Sequence, residues 1–124
     1  MLRRMIGQTV DSVAVELIFF GLEQEGEAGD VLVKFVSGST FAFMCAGDGS
    51  VEVKAQATSV APAPHTVTIE RPVPRIRGTL RSVRKGVHDF ELRIGDETLG
   101  LTNSDDQFEI FVNGQRLNSD FCRR

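Results

Sequence analysis

Apolar and polar residues alternate along much of the chain, most densely from Val31 to Val53. Val31, Val33 and Phe35 recur at every second position, and Leu32 and Val36 take the opposite parity around Lys34. A period of two is that of a β-strand. After Ser37-Gly38-Ser39, Phe41 and Phe43 alternate with Thr40, Ala42 and Met44. Strands are thus predicted over 31–36 and 40–45, joined by a hairpin in which Gly38 supplies a positive φ. Both of their faces are largely apolar, which predicts central strands covered on both sides. Ala46-Gly47-Asp48-Gly49 predicts the next turn, and 50–55 a strand with Val51 and Val53 inward.

A more polar version of this pattern returns later. Strands are predicted over 78–83, 88–94, 98–102 and 107–112, with turns at Lys85-Gly86, Gly95-Asp96 and 103–106. Asn113-Gly114 is the strongest hairpin signal in the chain and favours a type I′ turn before a short last strand with Arg116 and Leu117. Between the two patterns, 57–64 reads as a linker and 66–70 as a brief strand. Pro72 and Pro74 restrict their own stretch to an edge or a crossover.

The stretch Gln8–Phe20 carries two competing periods. Val10, Val13, Ala14, Leu17 and Ile18 fit a helical stripe, whereas Val13, Val15, Leu17 and Phe19 fit a strand. Its Val, Ile and Phe content favours the strand, with a helix as the alternative.

The two patterns also match residue by residue. Thr9-Val10-Asp11-Ser12-Val13 aligns with Thr79-Leu80-Arg81-Ser82-Val83, and Val33-Lys34-Phe35 with Leu92-Arg93-Ile94. Thr40-Phe41-Ala42-Phe43 aligns with Thr98-Leu99-Gly100-Leu101, and Val51-Glu52-Val53 with Phe108-Glu109-Ile110. This is either an internal repeat, 7–55 and 76–112 joined by a Pro/Ala-rich crossover over 56–75, or the generic likeness of two meanders. The fold predicted is all-β and single-domain: an antiparallel sandwich or barrel of eight or nine short strands.

Composition adds bounds. The 124 residues suit one domain that folds without metal or disulfide. All nine aromatics are Phe, which suits a core role, since binding surfaces favour Tyr and Trp. A net charge of −3 argues against bulk affinity for nucleic acid or anionic membrane. No stretch has the length of a membrane span and the start is too short and polar for a signal peptide, so a cytoplasmic protein is expected. Cys45 and Cys122 form no zinc spacing and read as free thiols, with a disulfide between them left open.

No catalytic, cofactor or metal motif stands out, and none of these is assigned. His65 and His88 read as surface histidines, Gly47-Asp48-Gly49-Ser50 as a turn without the lysine of a phosphate loop, and Asp105-Asp106 as turn chemistry without calcium-loop spacing. The distinct feature is charge segregation. Arg71, Arg75, Arg77, Arg81, Arg84 and Lys85 occupy an acid-free stretch, and Glu16, Glu23, Glu25, Glu27 and Asp30 a base-free one. Arg75, Arg77 and Arg81 are predicted to share a strand face opposite Ile76 and Leu80.

The pattern Gly7-x-x-Val10-x-x-Val13, an acidic insert, then Phe35-x-x-Gly38-x-x-Phe41 resembles small bacterial immunity proteins of toxin–immunity pairs. The resemblance covers mainly the first half. It implies a compact, non-enzymatic, cytosolic protein that neutralises a basic toxin domain, with Glu23, Glu25, Glu27 and Asp30 as partner contacts. The alternative is a domain that binds nucleic acid or another anionic ligand through Arg75, Arg77, Arg81 and Arg84.

Overall fold

The computed structural model describes residues 2–20, 23–24, 29–55, 66–105 and 107–117. These form α1 (Leu2–Met5), β1 (Thr9–Phe20), β2 (Glu23–Gln24), β3 (Val31–Phe35), β4 (Thr40–Cys45) and β5 (Val51–Ala55). They continue as β6 (Thr66–Pro72), β7 (Gly78–Lys85), β8 (Asp89–Ile94), β9 (Glu97–Ser104), β10 (Gln107–Val112) and β11 (Gln115–Arg116). The linker predicted over 57–64 lies outside the described residues.

All pairings are antiparallel, and they join the strands into one sheet. Its order is β11-β10-β9-β8-β7-β1-β3-β4-β5, with β2 and β6 added along β1. Among the described residues β5 and β11 do not pair, so the sheet is not closed into a barrel. Instead it folds over. Phe43 on β4 meets Phe90 on β8 edge to face, ring centroids 5.3 Å apart, and one apolar cluster draws on both halves. The all-β antiparallel expectation holds. The described strands number eleven, not eight or nine. The two-residue β2 is too short to carry a hydrophobic period, and the short last strand expected at Arg116 and Leu117 is β11.

Gln8–Phe20 resolves as a strand. It is the hub of the sheet, with β3 and β2 along one side and β7 and β6 along the other. Its register against β3 shifts between Val10 and Ser12, so Asp11 is the extra residue of a β-bulge. Val10 and Val13 are consequently both buried in the core cluster. The helix-like spacing of three therefore comes from a bulge in a strand.

β7 repeats this feature. Its register against β8 shifts between Leu80 and Ser82, which makes Arg81 the extra residue. Leu80 is fully buried, and Val83 packs against the same core. The later pairings correspond as well: Val33↔Phe41 with Leu92↔Leu99, and Phe43↔Val53 with Leu101↔Ile110. β1 and β7 meet at Thr9↔Thr79, equivalent positions of the two patterns, so the topological two-fold passes through that pair. Close beside it Gly78, at φ 124°, lies against Gly95, where an added Cβ would come within 3.2 Å of the Gly95 Cα. The interval 56–75 is not wholly a crossover, because it contains β6, which pairs with β1 from Ala14 to Phe20.

The outer faces differ. On the first half Ala14, Leu32 and Ala42 are buried although they lie outside the core cluster, in keeping with strands covered on both sides. Val36, expected on that face, is 67% exposed at the hairpin. The outer face of the second half carries the cross-strand ion pairs Arg84–Glu91 and Glu109–Arg116.

Two features had no counterpart in the hydrophobic pattern. The four-residue helix α1 places Met5 in the core with no exposed surface. Asn103 is the only buried polar side chain among the described residues. Its amide nitrogen donates to the backbone oxygens of Ala46 (3.0 Å) and Ser50 (2.8 Å), which pins the β4–β5 turn to β9. His88 adds a ring-nitrogen contact to the Gly49 oxygen at 2.8 Å. No helix among the described residues is long and apolar enough to cross a membrane.

Candidate functional site

The two charged segments fare differently. Arg75, Arg77, Arg81 and Arg84 are all exposed, while Ile76 and Leu80 between them are buried. The predicted sidedness is therefore present, but the shared strand face is not. β7 begins only at Gly78, Arg75 stands in a turn at φ 68°, and Arg81 is the bulge residue. The arginines follow a bent path.

Their partners differ too. Arg84 pairs with Glu91 at 3.0 Å, and the Lys85 ammonium lies 5.8 Å from the Phe90 ring centroid. Arg71 is half-buried and engaged. Arg75, Arg77 and Arg81 make no ion pair among the described residues.

Glu25 and Glu27 lie outside the described residues. The backbone of Glu23 pairs with Phe20 at the end of β1. Asp30 is half-buried rather than presented to solvent. Its backbone oxygen accepts from the Glu16 N–H at 2.8 Å, and burial raises its carboxyl above the usual range, with Lys54 opposing. Glu16 is half-buried beside it. Its carboxyl is raised by burial first, then by the charges of Asp30 and Glu70. Glu70 itself pairs with Lys34 across β1.

Among the described residues no group of three or more His, Cys, Asp or Glu side chains is placed to hold a metal ion. Cys45 is half-buried, and Cys122 and His65 lie outside the described residues. His88 is exposed. Asp48 accepts from the Ser50 N–H (3.0 Å) and hydroxyl (2.6 Å), which lowers its carboxyl and marks the 46–50 segment as a turn.

A cleft of about 360 Å³ opens between the turn at Pro74-Arg75 and the β10–β11 hairpin. It joins Arg75 to Arg116, with Glu97 beside them and Val112 and Leu117 as apolar wall. The hairpin is held by Asn113 and Gly114 at φ 52° and 80°, the type I′ signature. The Asn113 carboxamide oxygen accepts from the Thr98 N–H at 2.9 Å, and its amide nitrogen donates to Glu97. Arg116, Glu97 and Asn113 were not singled out by sequence reasoning as site residues. The Asn113-Gly114 turn was the one signal in the chain for this corner, and nothing in the chain's order links it to Arg75.

Comparison with protein-family models, curated proteins and solved structures finds no match for this chain.

Proposed function

We propose that this protein is a non-enzymatic binding domain whose ligand is anionic and is met by the arginine segment. One observation carries the reading: Arg75, Arg77 and Arg81 are exposed within seven residues of chain and make no ion pair among the described residues. Guanidinium groups gathered along one short segment set up a local positive potential and offer forked donors to carboxylate or phosphate oxygens. The segment holds no exposed aromatic for base stacking, which favours a carboxylate or phosphate group over single-stranded nucleic acid. The acidic segment supports a basic protein partner less well, because Asp30 is half-buried.

Backbone amide chemical-shift mapping tests the reading. Titration with acetate, inorganic phosphate and a short oligonucleotide at low salt should shift resonances from Arg75 to Arg84 and lose effect as salt rises. An R77E/R81E variant should abolish the ridge shifts. A chain that responds to none of these anions overturns the proposal. So does one in which a basic protein domain binds and Glu23→Lys or Glu25→Lys removes that binding, which returns the immunity reading.

A further inference from the structure

The cleft at Arg75 deepens this reading and rests on it. The Pro74-Arg75 turn fixes the position of one guanidinium in an unusual way. Pro74 holds the first central place of the turn and Arg75 the second, at φ 68°. That second place favours glycine, and an L side chain there is strained. Among the described residues six glycines take positive φ values, and the other side chains that do so are Asp105 and Asn113, of the types that tolerate that region best. At this turn the fold keeps a long cationic side chain instead. Strain held at one solvent-facing position, on the rim of a cleft, points to a role for the side chain rather than for the backbone.

The rest of the cleft defines what could enter. Arg116 faces the same space, and its own acidic neighbour Glu109 is only loosely placed at 3.9 Å. Glu97 also lines the cleft, but its carboxylate already accepts from the Asn113 amide. Among the lining side chains two guanidiniums stand against one carboxylate, a formal +1 that Glu109 beside Arg116 reduces further, so the cleft suits a single negative charge better than two. Val112, Leu117 and Pro74 supply an apolar wall next to the charges. A volume of about 360 Å³ is at the small end of ligand-sized pockets.

The geometry points to a binding site for a small apolar monocarboxylate, with its carboxylate between Arg75 and Arg116 and its hydrocarbon on Val112 and Leu117. A forked, planar donor matches a carboxylate in two hydrogen bonds, and the apolar wall takes the tail out of water. A dianionic phosphate gains the same donors but meets the Glu97 charge.

The test uses the full chain and three probes: 3-methylbutanoate, its neutral counterpart 3-methylbutanol, and inorganic phosphate. Binding is followed by amide shift mapping and calorimetry. The carboxylate should shift Arg75, Val112 and Arg116 resonances and bind about tenfold or more tightly than the alcohol. Arg75→Gly is the informative variant, because it relieves the strained φ. It should melt at least as high as the parent and lose the carboxylate by a similar factor. Arg116→Gln should lose it too, and Arg81→Gln should not. Equal binding of the alcohol, tighter binding of phosphate, or full binding by Arg75→Gly would each overturn the inference. If anions shift Arg77 and Arg81 but leave the cleft unmoved, this site fails while the broader anion-binding reading stands. If no anion shifts any resonance, both fail.

Discussion

Asn103 shows how much one side chain can decide. Its amide closes two backbone carbonyls, those of Ala46 and Ser50, that belong to the opposite half of the molecule. Its equivalent in the first half is Cys45, which pairs with Val51 as Asn103 pairs with Phe108. Cysteine has no amide to donate, so the clasp runs in one direction only. Asn103→Leu, similar in size but without donors, removes two hydrogen bonds and leaves the Ala46 oxygen with the Gly49 N–H alone and the Ser50 oxygen with the Ala46 N–H alone. It is expected to lower stability by about 1–3 kcal/mol in urea unfolding. Glu16 shows a different effect at the same scale. Burial, then Asp30 and Glu70, raise its carboxyl, so the folded chain holds this proton more tightly than the unfolded chain does. Its contribution is full below the unfolded-state value of about 4.3 and is lost as pH rises through the raised value. Glu16→Gln should therefore be more stable than the parent at pH 7, by about 0.5 kcal/mol or less because the group is half-exposed. The two proteins should unfold alike near about pH 3, where both side chains are neutral. A variant less stable than the parent at pH 7 would contradict this account.

At the scale of elements, the two bulges carry the most weight. Asp11 and Arg81 are each one residue too many for their ladder, and each returns the next apolar residues to the inner face. Deleting Asp11 restores a plain period of two from Val10 onward. Val10, Val13, Val15 and Leu17 then still share the inner face, so the deletion removes only the local bend and twist that the bulge gives β1. The shortened chain is expected to keep a cooperative β-sheet transition by circular dichroism and thermal melting, at a lower melting temperature than the parent because the bend at the bulge is lost. Asp11→Ala keeps the count and should stay within about 0.5 kcal/mol of the parent. These bulges also explain what was legible. Hairpins with clean alternation, such as β3–β4 and β8–β9, follow from their residues alone, as does the Asn113-Gly114 turn. β1 read ambiguously because a bulge mimics a helical spacing. The arginine segment was legible as charge, but its bend came from a turn and a bulge that charge does not announce.

For the whole molecule, the consequence of the folded-over sheet is a single core. Phe43 and Phe90 touch across the layers, and the cluster around them includes residues from α1 through β10. Phe43→Ala should cost about 3–5 kcal/mol. It should also loosen both halves together, so that slowly exchanging amides of β3 and β8 lose protection in parallel. Independent melting of one half would show that the two meanders are separate cooperative units. The open ends of the order, at β5 and β11, place the Arg75–Arg116 cleft near one margin of the sheet, where the last hairpin meets the turn leading into β7.

The sequence by itself determined the all-β class, most strand positions and the type I′ turn at Asn113-Gly114. Each of these is set by a period of two and by residues that bend the chain locally. Tertiary structure alone decided which charges remain without a partner, because pairing depends on what lies opposite across the sheet. It also decided that Met5 and Asn103 are core residues, since neither belongs to a local period. And it brought Arg75 next to Arg116, forty-one positions further along the chain, because the pairing of β7 through β11 returns the last hairpin to the turn at Pro74.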